Sequence, residues 1–153
     1  MDSELRELYQ DVILDHNKNP RNVGTLEHAD HHANGNNPLC GDKVRITIEM
    51  EADRIRDIQF AGVGCAISTA SASMMTEVVK GKTVAEIDAL VDKVHRLLTI
   101  EGEDPAFSDA EESLAALTGV REFPMRVKCA TLPWHTLKAA LHGGEEVNTE
   151  DEG

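Results

Sequence analysis

VRITIEM (residues 44–50) and IRDIQF (residues 55–60) are two runs in which apolar and polar side chains alternate, joined by a short polar segment. Alternation of this kind predicts strands with one face on the core and the other in water. Because few residues separate the two runs, they are expected to pair as an antiparallel hairpin. The hairpin predicts a small antiparallel sheet that the rest of the chain must cover.

The segments around the hairpin are mainly helical in their spacing of apolar residues, although a short edge strand is expected within the polar residues 25–37. We predict helices over residues 2–15, from residue 66 to a stop at Gly81, from a capping box of Thr83 and Glu86 to Leu98, from Ser108 through Leu117 (with Ser108 and Glu111 as cap), and from a first turn containing Pro133 to Gly143. Strands grouped before helices indicate an α+β domain. We assign this domain residues 1–143, and we interpret residues 144–153, GEEVNTEDEG, as an acidic disordered tail.

The composition of the 153-residue chain is that of an acidic protein, with a formal net charge of −13. A charge of this sign repels the phosphate backbone of nucleic acids. No apolar run reaches the length of a membrane-spanning helix, and the N-terminal segment MDSELRELYQ lacks the pattern of a secretory signal. We therefore expect a cytoplasmic protein that binds neither nucleic acid nor a membrane.

The three cysteines are the main candidates for functional residues in the sequence. An odd number of thiols in a reducing compartment does not indicate a disulfide framework, which leaves buried inert thiols, reactive thiols or metal ligands. Cys40 and Asp42 flank Gly41, whose flexibility lets both side chains converge on one ion. The alternative at this point is a loop cysteine beside a solvated carboxylate.

Cys65 and Cys129 are each expected immediately before a helix, where unpaired backbone N–H groups and the helix dipole favour a thiolate. Arg126 and Lys128 add positive charge next to Cys129, which also favours the thiolate. The alternatives are a small packed residue at position 65 and ordinary surface cations at positions 126 and 128.

Taken together, Cys40, Asp42, Cys65 and Cys129 offer four anionic ligands, a set that suits tetrahedral zinc. A carboxylate in place of a fourth thiolate is more exchangeable, which suits a working site better than a purely structural one. The spacings between these residues are long, so the pattern alone does not establish that they converge. The seven histidines are interpreted as surface or capping residues rather than ligands.

Five motifs, including these four residues, resemble the IscU/NifU N-terminal superfamily over nearly the whole chain: YQDVILDH (9–16), NPRN (19–22), NPLCGD (37–42), GVGCAIS (62–68) and RVKCA (126–130). Within this superfamily the chain resembles the SufU branch. Scaffold-type members carry a histidine where this chain has Lys128, and residues 100–123 are similar to an insert of the SufU branch.

The resemblance implies a three-stranded antiparallel sheet packed against helices, and zinc held by Cys40, Asp42, Cys65 and Cys129. It also implies a sulfur-transfer protein that accepts persulfide sulfur from a PLP-dependent cysteine desulfurase and passes it to the SUF cluster scaffold. Cys40 is the predicted sulfur acceptor, since it lies in a glycine-flanked loop, and the SufU branch is similar in using this position. Lys128 and Arg126 are predicted to support the site.

Two other functions stay open at this point. The first is an IscU-type scaffold that binds iron or a transient [2Fe–2S] cluster on the same ligands. The second is a purely structural zinc module, which fits the ligands but accounts for neither Lys128 nor the carboxylate.

Overall fold

The structure, a computed structural model, describes residues 3–38, 41–99 and 107–148. Its elements follow one another as α1 (Ser3–Lys18), β1 (His31–Asn37), β2 (Asp42–Glu51), β3 (Arg54–Val63), α2 (Ala66–Val79), α3 (Val84–Thr99), a 3₁₀ helix (Asp109–Glu122), α4 (Pro124–Leu141) and β4 (Glu146–Asn148). Within these residues, no helix combines the length and the apolar character needed to span a bilayer.

The sheet has four strands in the order β3-β2-β1-β4. The predicted β2–β3 hairpin is confirmed, and β1 adds to β2 in antiparallel orientation. The prediction of three antiparallel strands is wrong in two respects, because β4 is a fourth strand and it runs parallel to β1. As a result, β1 is an interior strand and the sheet is mixed.

Strand β4 lies in the segment that the sequence assigned to an acidic tail. Three residues of that segment, Glu146–Asn148, are ordered by pairing with β1, and Asn34 N–H donates to the carbonyl of Glu145 at 2.7 Å just before the strand. Three residues are too few to show an alternating pattern, which explains why the sequence did not reveal β4. Residues 149–153 lie outside the described residues, so for them the tail stays a prediction.

The core is formed where one face of the sheet packs against the helices. Ile46 and Ile58 point inward from the sheet and are fully buried, as is Trp134 of α4. The Trp134 indole Nε1–H donates to Ser71 Oγ at 3.0 Å, and the Ser71 hydroxyl donates to the carbonyl of Ala130 at 2.6 Å. The first bond satisfies the one polar group of the buried tryptophan, the second satisfies the Ser71 hydroxyl, and together they fix α2 against α4.

The starts of the helices were predicted with mixed success. The capping box is confirmed, since Thr83 N–H donates to Glu86 Oε1 at 3.0 Å and Glu86 N–H donates to Thr83 Oγ1 at 3.2 Å. By contrast, the side chain of Ser108 makes no capping hydrogen bond, and the segment after it is a 3₁₀ helix.

The last helix, α4, begins at Pro124 rather than near Pro133, which lies in its interior. Proline is well suited to the first position of a helix, as at Pro124, whereas at an interior position it removes one backbone hydrogen bond. Helix α4 continues through Pro133 because it is buried on both sides of the proline, at Leu132 and Trp134. Burial of these side chains outweighs the preference of proline for the start of a helix.

Helix α4 lies close against β1 at Gly35. A Cβ atom on Gly35 would overlap Oγ1 of Thr136 and would lie 3.0 Å from Cδ1 of Leu132. The strand can therefore carry no side chain at this position without moving the helix. The close contact sets the distance between the end of β1 and the first turns of α4, where Cys129 lies.

Candidate metal centre

Three of the four predicted ligands meet at one end of the sheet. The ligand atoms of Asp42, Cys65 and Cys129 all lie within 4.8 Å of one another. Asp42 is the first residue of β2, Cys65 immediately precedes α2, and Cys129 belongs to α4. Because these elements are distant in sequence, the group exists only in the folded chain.

The two carboxylate oxygens of Asp42 have different partners. The side chain is fully buried, and Oδ1 accepts a hydrogen bond from the backbone N–H of Cys65 at 2.8 Å. Oδ2 lies 3.9 Å from Cys65 Sγ. One oxygen therefore anchors the start of α2 to β2, and the other faces the sulfurs. A buried carboxylate needs such partners, because burying an unpaired charge is costly.

Cys65 caps α2 as the sequence predicted. Its backbone is extended, and its Sγ accepts a hydrogen bond from the backbone N–H of Ser68 at 3.5 Å. The sulfur thus faces the positive end of the helix dipole.

Cys129 is fully buried, and its position in α4 corrects the prediction. The sequence placed it just before a helix, but α4 begins at Pro124, so Cys129 lies in the second turn. Its Sγ lies 3.9 Å from the backbone carbonyl oxygen of Met125, one turn earlier. The argument from the helix N-terminus consequently does not apply to this thiol, which leaves the neighbouring side chains as its charged surroundings.

Arg126 is one of those neighbours. Its pKa is raised above the ordinary value, first by a hydrogen bond to Cys129 and then by the negative charge of Cys65. The guanidinium group therefore faces both sulfurs from the exposed first turn of α4. Lys128 is half-buried on the same helix, and its supporting role stays a prediction.

Cys40, the fourth predicted ligand and the predicted sulfur acceptor, lies outside the described residues together with Leu39. The sequence places it two residues before Asp42. Its participation stays a prediction.

Sequence reasoning missed the role of Asn37. This residue ends β1 and is fully buried, and its amide nitrogen Nδ2 lies 3.4 Å from Asp42 Oδ2 and 3.6 Å from Cys129 Sγ. A signal was present, because Asn37 shares the inward face of β1 with Ala33 and Gly35. A polar side chain on the core face of a strand requires a buried partner.

Two histidines have partners outside the acid–thiol group. His16 is buried rather than exposed, and its Nδ1 lies 2.8 Å from Ser73 Oγ. His142 pairs with Asp88 at the surface, with Nε2 2.9 Å from either carboxylate oxygen. Among the described residues, no histidine belongs to the acid–thiol group.

The three gathered side chains fit a zinc ion. Zinc in proteins is tetrahedral and takes thiolate and carboxylate ligands, with Zn–S bonds of about 2.3 Å and ligand atoms therefore roughly 3.5–3.8 Å apart. The separation of 3.9 Å between Cys65 Sγ and Asp42 Oδ2 is close to that spacing. Three ligands leave one position for a fourth donor.

The fold and this group define a small α+β protein with a largely buried acid–thiol cluster at one end of a mixed sheet. Comparison with known proteins identifies the family. The family model described as the NifU-like N-terminal domain matches residues 8–142, and the chain belongs to this family.

Its relatives carry two kinds of name. A protein of Streptococcus pyogenes named iron–sulfur cluster assembly scaffold protein IscU is 44% identical over 139 residues, which cover 91% of this chain and 86% of that protein. The zinc-dependent sulfurtransferase SufU of Bacillus subtilis is 42% identical over 139 residues, covering 91% of this chain and 92% of that protein. Such similar identities do not separate the two names.

A solved structure shares the fold. The structure is that of a protein from Fervidobacterium islandicum described as an iron–sulfur cluster assembly scaffold protein for the SUF system. It superposes with a TM-score of 0.80 at 33% identity, covering 92% of this chain and 99% of that one.

Proposed function

We propose that this protein is a zinc-dependent sulfur-transfer protein of iron–sulfur cluster assembly that works in the cytoplasm. It accepts persulfide sulfur from a PLP-dependent cysteine desulfurase and passes it to the SUF cluster scaffold. Cys40, Asp42, Cys65 and Cys129 hold the zinc, and Cys40 receives the sulfur. The zinc-dependent relative from Bacillus subtilis supports this choice.

The observation that carries the proposal is the convergence of Asp42, Cys65 and Cys129 within 4.8 Å. Two thiols and a fully buried carboxylate in so small a volume repel one another once ionised. A divalent cation relieves that repulsion and, when bound, keeps the thiols in their anionic form. Asp42 contributes through Oδ2, because Oδ1 is engaged by the N–H of Cys65.

The transfer step is a thiol–persulfide exchange. The Cys40 thiolate attacks the terminal sulfur of the persulfide on the desulfurase, forming a new S–S bond while the original S–S bond breaks. The electron pair of the broken bond leaves on the desulfurase cysteine as a thiolate, so the exchange requires no oxidant or reductant. Arg126, which faces the sulfurs, offsets the negative charge that both reactants bring.

Exposed apolar side chains near the site support the docking of a protein partner. Val63, two residues before Cys65, is 67% exposed, and Met125 and Phe123 at the start of α4 are 69% and 60% exposed. Large exposed apolar groups beside a reactive site are typical of surfaces that a partner covers.

An IscU-type scaffold is the second candidate, and the name of the Streptococcus pyogenes relative favours it. The residue before Cys129 distinguishes the two. A neutral histidine has a nitrogen lone pair to offer iron, whereas a lysine ammonium has none. With three thiolates and one carboxylate around a divalent ion, the cation of Lys128 favours retention of zinc over turnover of a cluster.

The test combines metal analysis with two assays. The purified protein should contain about one zinc per chain and should accelerate sulfur production by a cognate cysteine desulfurase. Anaerobic incubation with iron, cysteine and desulfurase should leave the zinc in place and yield no stable cluster absorbance. A stable, transferable cluster under these conditions would establish the scaffold function instead. Zinc binding without any effect on the desulfurase would indicate a structural module.

A further inference from the structure

We propose that Asn37 is a positioning residue of the metal centre, and that its amide group holds Asp42 and Cys129 at the spacing a metal ion requires. This inference rests on the proposed zinc site. It adds a residue to the site that provides no ligand atom and acts only through hydrogen bonds to the ligands.

The geometry places one nitrogen between two ligands. Asn37 Nδ2 lies 3.4 Å from Asp42 Oδ2 and 3.6 Å from Cys129 Sγ. An amide NH₂ group has two hydrogens, so it can donate one to the carboxylate and one to the sulfur. Oδ2 is the oxygen that faces the sulfurs, since Oδ1 accepts from the N–H of Cys65.

The Asn37 side chain links the β1–β2 end of the sheet to helix α4. It ends β1 opposite Asp42, the first residue of β2, while Cys129 reaches the site from α4. The close approach of α4 to β1 at Gly35 brings the helix within reach of the amide. The side chain is 0% exposed, so water does not compete for its two hydrogens.

This position requires an uncharged hydrogen-bond donor. The group already contains one carboxylate and two thiols, and a charged acceptor beside them would add to their repulsion. An amide supplies two N–H dipoles to the anions without changing the net charge, and hydrogen bonds to charged groups are the stronger kind. Groups that orient metal ligands in this way commonly control metal affinity.

The experiment compares Asn37→Asp and Asn37→Ala with the wild-type protein. Asn37→Asp keeps the size of the side chain but replaces the NH₂ donor with an oxygen acceptor, and Asn37→Ala removes both bonds. The zinc dissociation constant is measured by competition with a chromogenic chelator. Both variants should bind zinc about 10- to 100-fold more weakly, the range found for groups that orient metal ligands.

A second readout separates positioning from a general structural role. In Co²⁺-substituted protein, the visible absorption bands report the ligand geometry of the folded molecules alone. They should shift or weaken in both variants, even where the chelated proteins melt like the chelated wild type. If Asn37→Asp does not fold, Asn37→Ala decides the matter by the same two measurements.

Asn36→Asp is the matched control. Asn36 is the preceding residue of β1 and points to the other face of the sheet, so the same charge is introduced away from the ligands. Its zinc affinity and cobalt spectrum should equal those of the wild type.

Two further outcomes would overturn the inference. If the Asn37 variants keep the wild-type zinc affinity and cobalt spectrum, or if Asn36→Asp loses as much affinity as they do, Asn37 does not position the ligands. A wild-type protein that binds no zinc would instead refute the proposed function on which the inference rests.

Discussion

Replacing Gly35 with alanine would place a methyl group where β1 meets α4. The new Cβ would overlap Oγ1 of Thr136 and lie 3.0 Å from Cδ1 of Leu132 and 3.1 Å from Cγ1 of Val44. These neighbours leave little room to yield, because Thr136 and Leu132 are both fully buried. Helix α4 must move away from the strand, and Cys129 must move with it.

The cost follows from two effects. Overpacking a core destabilises a protein by about 1–3 kcal/mol. The Thr136 hydroxyl also donates to the Leu132 carbonyl at 2.7 Å, and displacing it loses a buried hydrogen bond worth about 1 kcal/mol. We expect Gly35→Ala to lower the free energy of unfolding by about 2–4 kcal/mol, which in a chain of this size lowers Tm by roughly 5–15 °C.

Urea unfolding and thermal melting of the zinc-free protein measure this change, and chelator competition measures the accompanying loss of zinc affinity. Gly119→Ala is the control, because a Cβ there meets no atom within 4 Å, and stability should stay the same or rise slightly. Thr136→Ala in the Gly35→Ala background removes the overlapping oxygen and should recover part of the lost stability. A Gly35→Ala protein as stable as the wild type, or a double variant that recovers nothing, would refute the packing argument.

The remaining predictions concern the removal of zinc, the replacement of Cys40 and the protonation of His16. Removing zinc with a chelator should lower Tm clearly, because negatively charged side chains from separate elements then repel one another, and an unchanged melting curve would argue against the site. Cys40→Ser should abolish sulfur acceptance, since a hydroxyl forms no persulfide; full acceleration of a desulfurase by this variant would show that another thiol is the acceptor. The pKa of His16 is lowered chiefly by burial and secondly by the charge of Arg21. Below the ordinary pKa of histidine, the unfolded chain therefore binds a proton at this residue more readily than the folded chain does. Stability should therefore fall as the pH drops from about 6.5 towards the lower folded-state pKa, and His16→Gln should flatten that part of a urea-midpoint profile.

The sequence allowed the hairpin and the three residues of the acid–thiol group to be singled out, because strand alternation and side-chain chemistry are visible in the local sequence. Strands β2 and β3 show their own alternation, and Asp42, Cys65 and Cys129 were singled out by thiol and carboxylate chemistry. Residues whose structure depends on distant partners were missed. Strand β4 is ordered by its pairing with β1 rather than by any pattern of its own.

Two further misses have the same cause. Pro133 indicated the start of a helix, yet burial of the residues around it carries α4 through the proline. Asn37 was quoted in a motif without a role, since its contact with Cys129 joins residues far apart in the chain. A pattern along the sequence does not record contacts of this kind.

The three residues of β4 also bear on how the folded molecules behave towards one another. Without them, β1 would be an edge strand with a row of free backbone N–H and C=O groups. Strands of other molecules can pair with such an edge and form aggregates. The short strand occupies that row, and the carboxylates of Glu145, just before it, and Glu146, its first residue, repel a second acidic chain. At the opposite margin, Asn22 and Gly24 exchange backbone hydrogen bonds with Phe60 of β3. A chain shortened before Glu145 would retain the acid–thiol residues but lose its protection against self-association.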